Sequence, residues 1–298
     1  MAAHSSKRFD AHVHVWGPPA GHTSTMLGST PGSPPPPGDP ALLLAALDAT
    51  HTAGACVVQP ACYGYDHTFV RGVVEASAGR LTGCALANPT APSPGAAAAA
   101  TAALLDGGAF TCLRFNPYLW PGGAAEMANP VGLALARAAG DRGVPVCVMA
   151  FKGLAPLVPA LRALLTALPA TPFILDHAGF AGVGQDADAA TLCELARDFP
   201  DNTHVKLSAV FRLGGGAWPH TPAVEGPLKA ALAAFGPGRV LAGSDWPWVS
   251  EVCSYGAAWA ALDRVWDGWE GGDGWSLEAA RVAVEGGNAA RLFKWKGG

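Results

Sequence analysis

The sequence predicts an α/β fold: a single (β/α)8 TIM barrel with an extra C-terminal helical segment, one domain over residues 1–298. Three observations predict it. Eight short apolar runs alternate with eight helical stretches, the pattern of βα units on a parallel sheet. The turn after the first run, HVHVWGPPAG, is not the Gly-rich phosphate turn that a doubly wound sheet would carry there. No linker or internal repeat divides the 298 residues, and barrels of about 250 residues routinely form one domain.

The strand-like runs are RFDAHVHVW (8–16), ACVVQP (55–60), LTGCALAN (81–88), FTCLRFN (110–116), VPVCVM (144–149), PFILDH (172–177), HVKLSA (204–209) and RVLAGSD (239–245). The helical stretches between and after them run from ALLLAALDATHTA to AAWAALDRVW. The tail, WSLEAARVAVEGGNAARLFKW, reads as a helix, a Gly break and a short last helix. Residues 17–40 differ from the rest. They are dense in Pro, Gly and Ser and too polar to pack a core. Following strand 1, they form either a flexible lid at the catalytic mouth or an insertion without a role.

Half of the chain is hydrophobic, enough for a large core; only 14% is charged, and the net charge is −4. That balance gives no electrostatic reason to bind nucleic acid or an anionic membrane surface. No apolar stretch reaches the roughly 18 residues of a membrane span. The strand-like run reached at Phe9 leaves no room for a signal peptide, so a cytoplasmic protein is expected. The seven cysteines are dispersed and contain no CxxC pair; several sit in apolar runs, as small core residues of a reducing compartment do. A homodimer is left open, since no interface is legible.

Chemistry concentrates at strand ends. His12 and His14 stand at i and i+2 on one strand, so both side chains point to the same face. His177 closes the apolar run PFILDH, and Asp245 ends the eighth run. In a barrel, catalytic groups come from the C-terminal ends of several strands. Each residue alone has a structural reading, such as a capped histidine or a helix N-cap aspartate. Their coincidence at three strand ends points to a reaction centre.

FDAHVHVW, LDHAG, GSDWP and GNAARLF resemble the amidohydrolase superfamily. With VVQPACYGYDH, LRFN and VKLSAVFRL, they more closely resemble its amidohydrolase-related branch of 2-pyrone-4,6-dicarboxylate lactonases and sugar lactonases. The resemblance runs from Phe9 to about Trp295. It implies water attack on an ester-like carbonyl, most often of a lactone. Asp245 would accept the proton. His12, His14 and His177 would orient the water and polarise the carbonyl, with or without a metal.

Many superfamily members place a further ligand histidine on strand 5, but here Met149 and Ala150 stand there. Strand 4 carries Arg114 and Asn116 in place of a bridging lysine. A binuclear site is therefore not expected. One divalent ion such as zinc could be held by His12, His14 and Asp245; the balance favours catalysis without it.

The expected partner is a small, anionic substrate. Arg114 and Arg212 could clamp a carboxylate or, alternatively, pair with acids at the rim. Tyr63 and Tyr65 could add hydroxyls, and Tyr118 and Trp120 could wall the pocket. Lys206 shares a face with His204 and Ser208 and is taken as a further substrate contact. Trp246 and Trp248 either shield the site or pack the core. A metal-dependent non-oxidative decarboxylase and a ligand-binding barrel without turnover are the alternative functions.

Overall fold

The computed structural model describes residues 8–17, 35–272 and 274–297. Its eight strands are β1 (Phe9–Val13), β2 (Gly54–Val58), β3 (Leu81–Leu86), β4 (Phe110–Phe115), β5 (Val146–Val148), β6 (Phe173–Leu175), β7 (Thr203–Leu207) and β8 (Val240–Ala242). All pair in parallel, in sheet order β1 to β8. Helices α1 (Pro40–Ala49), α2 (Thr68–Ala76), α3 (Pro94–Asp106), α4 (Pro130–Gly140), α5 (Val158–Ala167) and α6 (Asp186–Asp198) follow the first six strands in turn. After β7, α7 (Thr221–Ala223) runs through a wide turn into α8 (Lys229–Phe235); α9 (Tyr255–Asp263) follows β8. The extra C-terminal segment is α10 (Leu277–Val282) and α11 (Asn288–Leu292).

Strand alternation builds two cores. On β2, Ala55 and Val57 face outward to the helices, while Cys56 and Val58 face inward. Inside the barrel they join Phe9, Cys84, Cys112, Cys147, Ile174 and Leu241, with Phe293 of the tail closing the bottom. All seven cysteines are free; five are buried and Cys193 and Cys253 are half-buried. No described helix is long and apolar enough to cross a membrane.

The barrel shuts where β8 meets β1. The His14 N–H donates to Trp246 O at 2.7 Å, and the Asp245 N–H to His12 O at 2.9 Å. Gly243 permits the approach, because a Cβ there would lie 3.0 Å from His12 N and 3.1 Å from Asp10 Oδ1. The Asp10 carboxylate stitches the seam, accepting from His12 N (3.0 Å), Ser244 N (3.0 Å) and Tyr255 OH (2.9 Å). Burial pushes its pKa up to about 6, although these hydrogen bonds oppose the rise.

All eight expected strands are present, trimmed at their ends. The sixth stops at Leu175 because a left-handed turn begins at His177 (φ 54°, ψ 49°). The Pro-rich segment falls mostly on residues 18–34, which lie outside the described residues. Its exit is placed: Asp39 accepts from Ala41 N at 2.7 Å and caps α1.

Candidate active site

The positions just past the strand ends converge on one cleft. His14 follows β1, Gln59 and Pro60 follow β2, Asn116 follows β4 and Met149 follows β5. His177 lies beyond β6, Arg212 beyond β7 and Asp245 beyond β8, with Arg114 reaching up from within β4. Trp16, Phe151, Phe180 and Trp248 complete much of the wall. The cleft encloses about 620 Å³ of space, part of it open to solvent.

The backbone is bent to aim these groups. His177, Ala178 and Phe180 have φ of 54°, 51° and 55°, and Asp245 has φ 65°. Left-handed non-glycine residues cost of order 1–3 kcal/mol each and cluster where function requires the aim. Ser208 Oγ lies 2.7 Å from His177 Nδ1 and fixes that ring, and the Phe180 ring packs edge-on against it at 5.0 Å.

Two ion-paired layers lie under the cleft. In the upper one, Arg212 Nε donates to Asp245 Oδ2 at 3.0 Å. His14 Nε2, His12 Nε2 and His177 Nε2 stand 3.5, 3.9 and 4.0 Å from Asp245 Oδ1. Burial alone would raise the Asp245 pKa, but His177, His14 and Arg212 hold it well below the usual carboxylate range. Burial also drives His177 down to about 4, against the pull of Asp245. At neutral pH His177 is therefore uncharged, and Arg212 is the standing cation beside Asp245. The Arg212 guanidinium lies over the Phe211 and Trp248 rings, 4.8 and 5.3 Å from their centroids.

In the lower layer Asp176 and Lys206 are fully enclosed, and Arg114 reaches up from it to the cleft. Asp176 Oδ1 is 3.0 Å from Lys206 Nζ, and Asp176 Oδ2 accepts from Arg114 Nε at 3.2 Å. Burial would neutralise both Asp176 and Lys206. Their mutual attraction, with Arg114 and His12 nearby, holds Asp176 ionised and keeps the Lys206 ammonium charged. Above them, Lys206 Nζ lies 3.2 Å from His12 Nδ1, and His12 Nε2 lies 3.3 Å from His14 Nε2. His14 Nδ1 donates to Val58 O at 2.8 Å.

Can this set hold a metal? His12, His14 and Asp245 each bring one ligand atom within 4.8 Å of the others. The 3.3 Å between the two imidazole nitrogens matches two ligands each about 2.0–2.1 Å from a tetrahedral zinc. The spacing fits one divalent ion.

The structure brings His14, His177, Asp245, Arg114 and Arg212 to the cleft wall as expected from sequence. His12 stays beneath them, fully buried, and touches the cleft only through its neighbours. Three expected substrate contacts are corrected. Lys206 has no exposed surface and pairs with Asp176, because its strand position points it into the closed barrel. Tyr63 is absent from the described cleft lining; it packs with Trp16 and Trp248 of the wall, stacks on Phe69 and accepts from Gly17 N at 2.8 Å. Tyr118 accepts from Lys152 N at 2.6 Å and holds the loop after β5. Tyr65 lines a separate hollow beside Leu86 and Leu104, and Trp120 packs behind Phe115. Trp248 walls the cleft, whereas Trp246 lies in the core. Sequence reasoning passed over Asp10 and Asp176 as functional groups and overlooked Gln59, Phe151 and Phe180 as cleft residues.

A barrel with histidines past β1 and β6 and an aspartate past β8 defines an amidohydrolase-type site. The amidohydrolase family model matches residues 9–295, and the chain belongs to that family. It is 33% identical over 144 residues to an L-fucono-1,5-lactonase of Burkholderia ambifaria, an alignment covering 46% of this chain and 46% of that enzyme. The chain thus matches about half the length of this curated relative. Among solved structures, it resembles a Burkholderia multivorans amidohydrolase with bound zinc (TM-score 0.77, 25% identity, 97% of this chain and 99% of that one). It also resembles a probable 2-pyrone-4,6-dicarboxylic acid hydrolase from Acinetobacter baumannii (TM-score 0.73, 19% identity, 97% and 99% covered).

Proposed function

We propose that the protein hydrolyses the ring ester of a small, carboxylated lactone, with Asp245 as general base. One observation carries the reading: an ionised, buried carboxylate faces the same cleft as two guanidiniums, Arg114 and Arg212. Among the described residues three cations, Lys206, Arg114 and Arg212, share two carboxylates, Asp176 and Asp245, and this surplus of positive charge leaves room for a negative substrate. The B. ambifaria relative, a lactonase by name, supports the ester class.

In this scheme, water attacks the lactone carbonyl and gives a proton to Asp245. The tetrahedral oxyanion forms beside Arg212 and His177. With the Ser208 hydroxyl donating to Nδ1, His177 keeps its hydrogen on Nε2, the nitrogen 4.0 Å from Asp245 Oδ1. Collapse breaks the ring C–O bond, and the alkoxide takes up the proton. The products are one hydroxyl and one carboxylic acid on the same molecule, and the acid ionises by releasing its proton to solvent. The residues past β5 fit this reading better than a decarboxylase, since Met149, a non-ligand, occupies that wall. A divalent ion on His12, His14 and Asp245 would supply Lewis-acid polarisation of the carbonyl or a more acidic water; the reading favours turnover without it.

The test is ring opening across a panel of five- and six-membered lactones, with and without a carboxylate. The expected result is turnover concentrated in the carboxylated members. Carbon dioxide release from aromatic acids without any lactone opening would refute the reading.

A further inference from the structure

The buried Lys206 does nothing in that scheme, yet an ammonium enclosed in a barrel is costly unless it has a task. Its neighbours suggest one. An ammonium has three donors and no acceptor. At 3.2 Å from His12 Nδ1 it can only donate, so Nδ1 must accept and the hydrogen of His12 resides on Nε2. His12 Nε2 lies 3.3 Å from His14 Nε2. His14 Nδ1 in turn faces a carbonyl, Val58 O at 2.8 Å, which can only accept. His14 therefore carries its hydrogen on Nδ1 and offers a lone pair at Nε2. The bonds run one way: Lys206 to His12, His12 to His14, His14 to Val58 O.

The competing arrangement places the His12 hydrogen on Nδ1, toward Asp176 Oδ1 at 3.4 Å. Three lone-pair groups would then converge within 4.8 Å: His12 Nε2, His14 Nε2 and the Asp245 carboxylate. A divalent cation would be ligated by such a set. Asp176 Oδ1 receives no hydrogen bond of good geometry in the structure, whereas the Lys206–His12 bond is made.

We infer that Lys206 is a positioning residue that fixes the tautomer of His12 and thereby weakens divalent-metal binding at His12, His14 and Asp245. A ring nitrogen that carries a hydrogen cannot ligate. The lone pair of His14 is also engaged, which leaves Asp245 as the one proton acceptor of the three. The inference rests on bond directions alone, so a failed lactone assay would leave it standing.

The test begins with 15N-histidine NMR of the wild-type protein. The expected spectrum shows a hydrogen on His12 Nε2 and a bare Nδ1; the reverse assignment overturns the inference. A merely structural lysine would not set this signature. The second measurement is calorimetric titration with zinc chloride of the wild type and Lys206→Met. Removing the ammonium should let His12 turn its hydrogen to Asp176 and tighten zinc binding at least tenfold. Adding His14→Ala should abolish the gain, which locates the ion away from the cysteines. Equal affinity in wild type and Lys206→Met overturns the inference. If Lys206→Met fails to fold, the wild-type spectrum decides.

Discussion

Replacing Asp176 with asparagine removes one charge and almost no volume. Asp176 is the shared partner of Lys206 (3.0 Å) and Arg114 (3.2 Å), and it has no exposed surface. Arg114 reaches the cleft and can be rescued by water; Lys206 cannot. Breaking a buried pair from one side costs about 3–5 kcal/mol. An independent ceiling agrees. The stranded ammonium can shed its proton, and moving its pKa from about 10.4 to 7 costs about 4.6 kcal/mol at 1.36 per unit. With about 2.1 cal/mol/K of unfolding entropy per residue, a chain this long should lose roughly 5–8 °C of melting temperature. Denaturant and thermal unfolding at pH 7 measure this. The deficit should shrink by about 1.4 kcal/mol per pH unit from pH 7 toward 10, because the unfolded lysine then binds protons that the folded one does not. A variant within about 1 kcal/mol of wild type at pH 7 would refute the buried charge pair.

Three further outcomes are expected. Arg212→Met should lower kcat/KM for a carboxylated lactone about 10- to 100-fold more than for an uncharged one, since charge-assisted hydrogen bonds contribute about 1.5–3 kcal/mol; paired kinetics check it. Ser208→Ala removes the 2.7 Å contact to His177 Nδ1 and should lower kcat about five- to tenfold with KM little changed, the worth of about 1 kcal/mol. His177 and His204 are both driven down to about 4 by burial. Their unfolded forms bind protons below about 6.5, so their contribution to stability is complete above that pH. It is lost as pH falls toward 4, up to about 3 kcal/mol each. Urea unfolding at pH 7, 6 and 5 should show the decline, and His204→Asn should remove its share.

The barrel was legible because alternation and strand-end chemistry are local signals. His177 and Asp245 each end an apolar run, and the strand-end rule that found them also applies to Gln59, Asn116 and Met149, which line the same cleft. The lower layer was not legible. Asp176 sat in plain view within LDHAG, but its partners lie 30 residues ahead at Lys206 and 62 residues behind at Arg114. No spacing rule links residues that meet only because a barrel closes. Lys206 fell on the correct face with His204 and Ser208, yet depth along the strand separates a buried ammonium from a substrate contact. Ser208 reaches His177; Lys206, two residues earlier, lies one layer lower. Loop position alone points to Tyr63 as a cleft hydroxyl and Tyr118 as a cleft wall, but both hydroxyls accept from loop backbone N–H groups instead.

The most direct test of the account is carboxylated-lactone hydrolysis by Asp245→Asn, measured after chelation and with metal content determined in parallel. Asparagine accepts the left-handed φ of 65° as readily as aspartate, so the fold should survive and the loss should be chemical. Wild type should keep full activity without metal, and the variant should lose about 10²- to 10⁴-fold in kcat. Undiminished turnover by Asp245→Asn would contradict Asp245 as the general base.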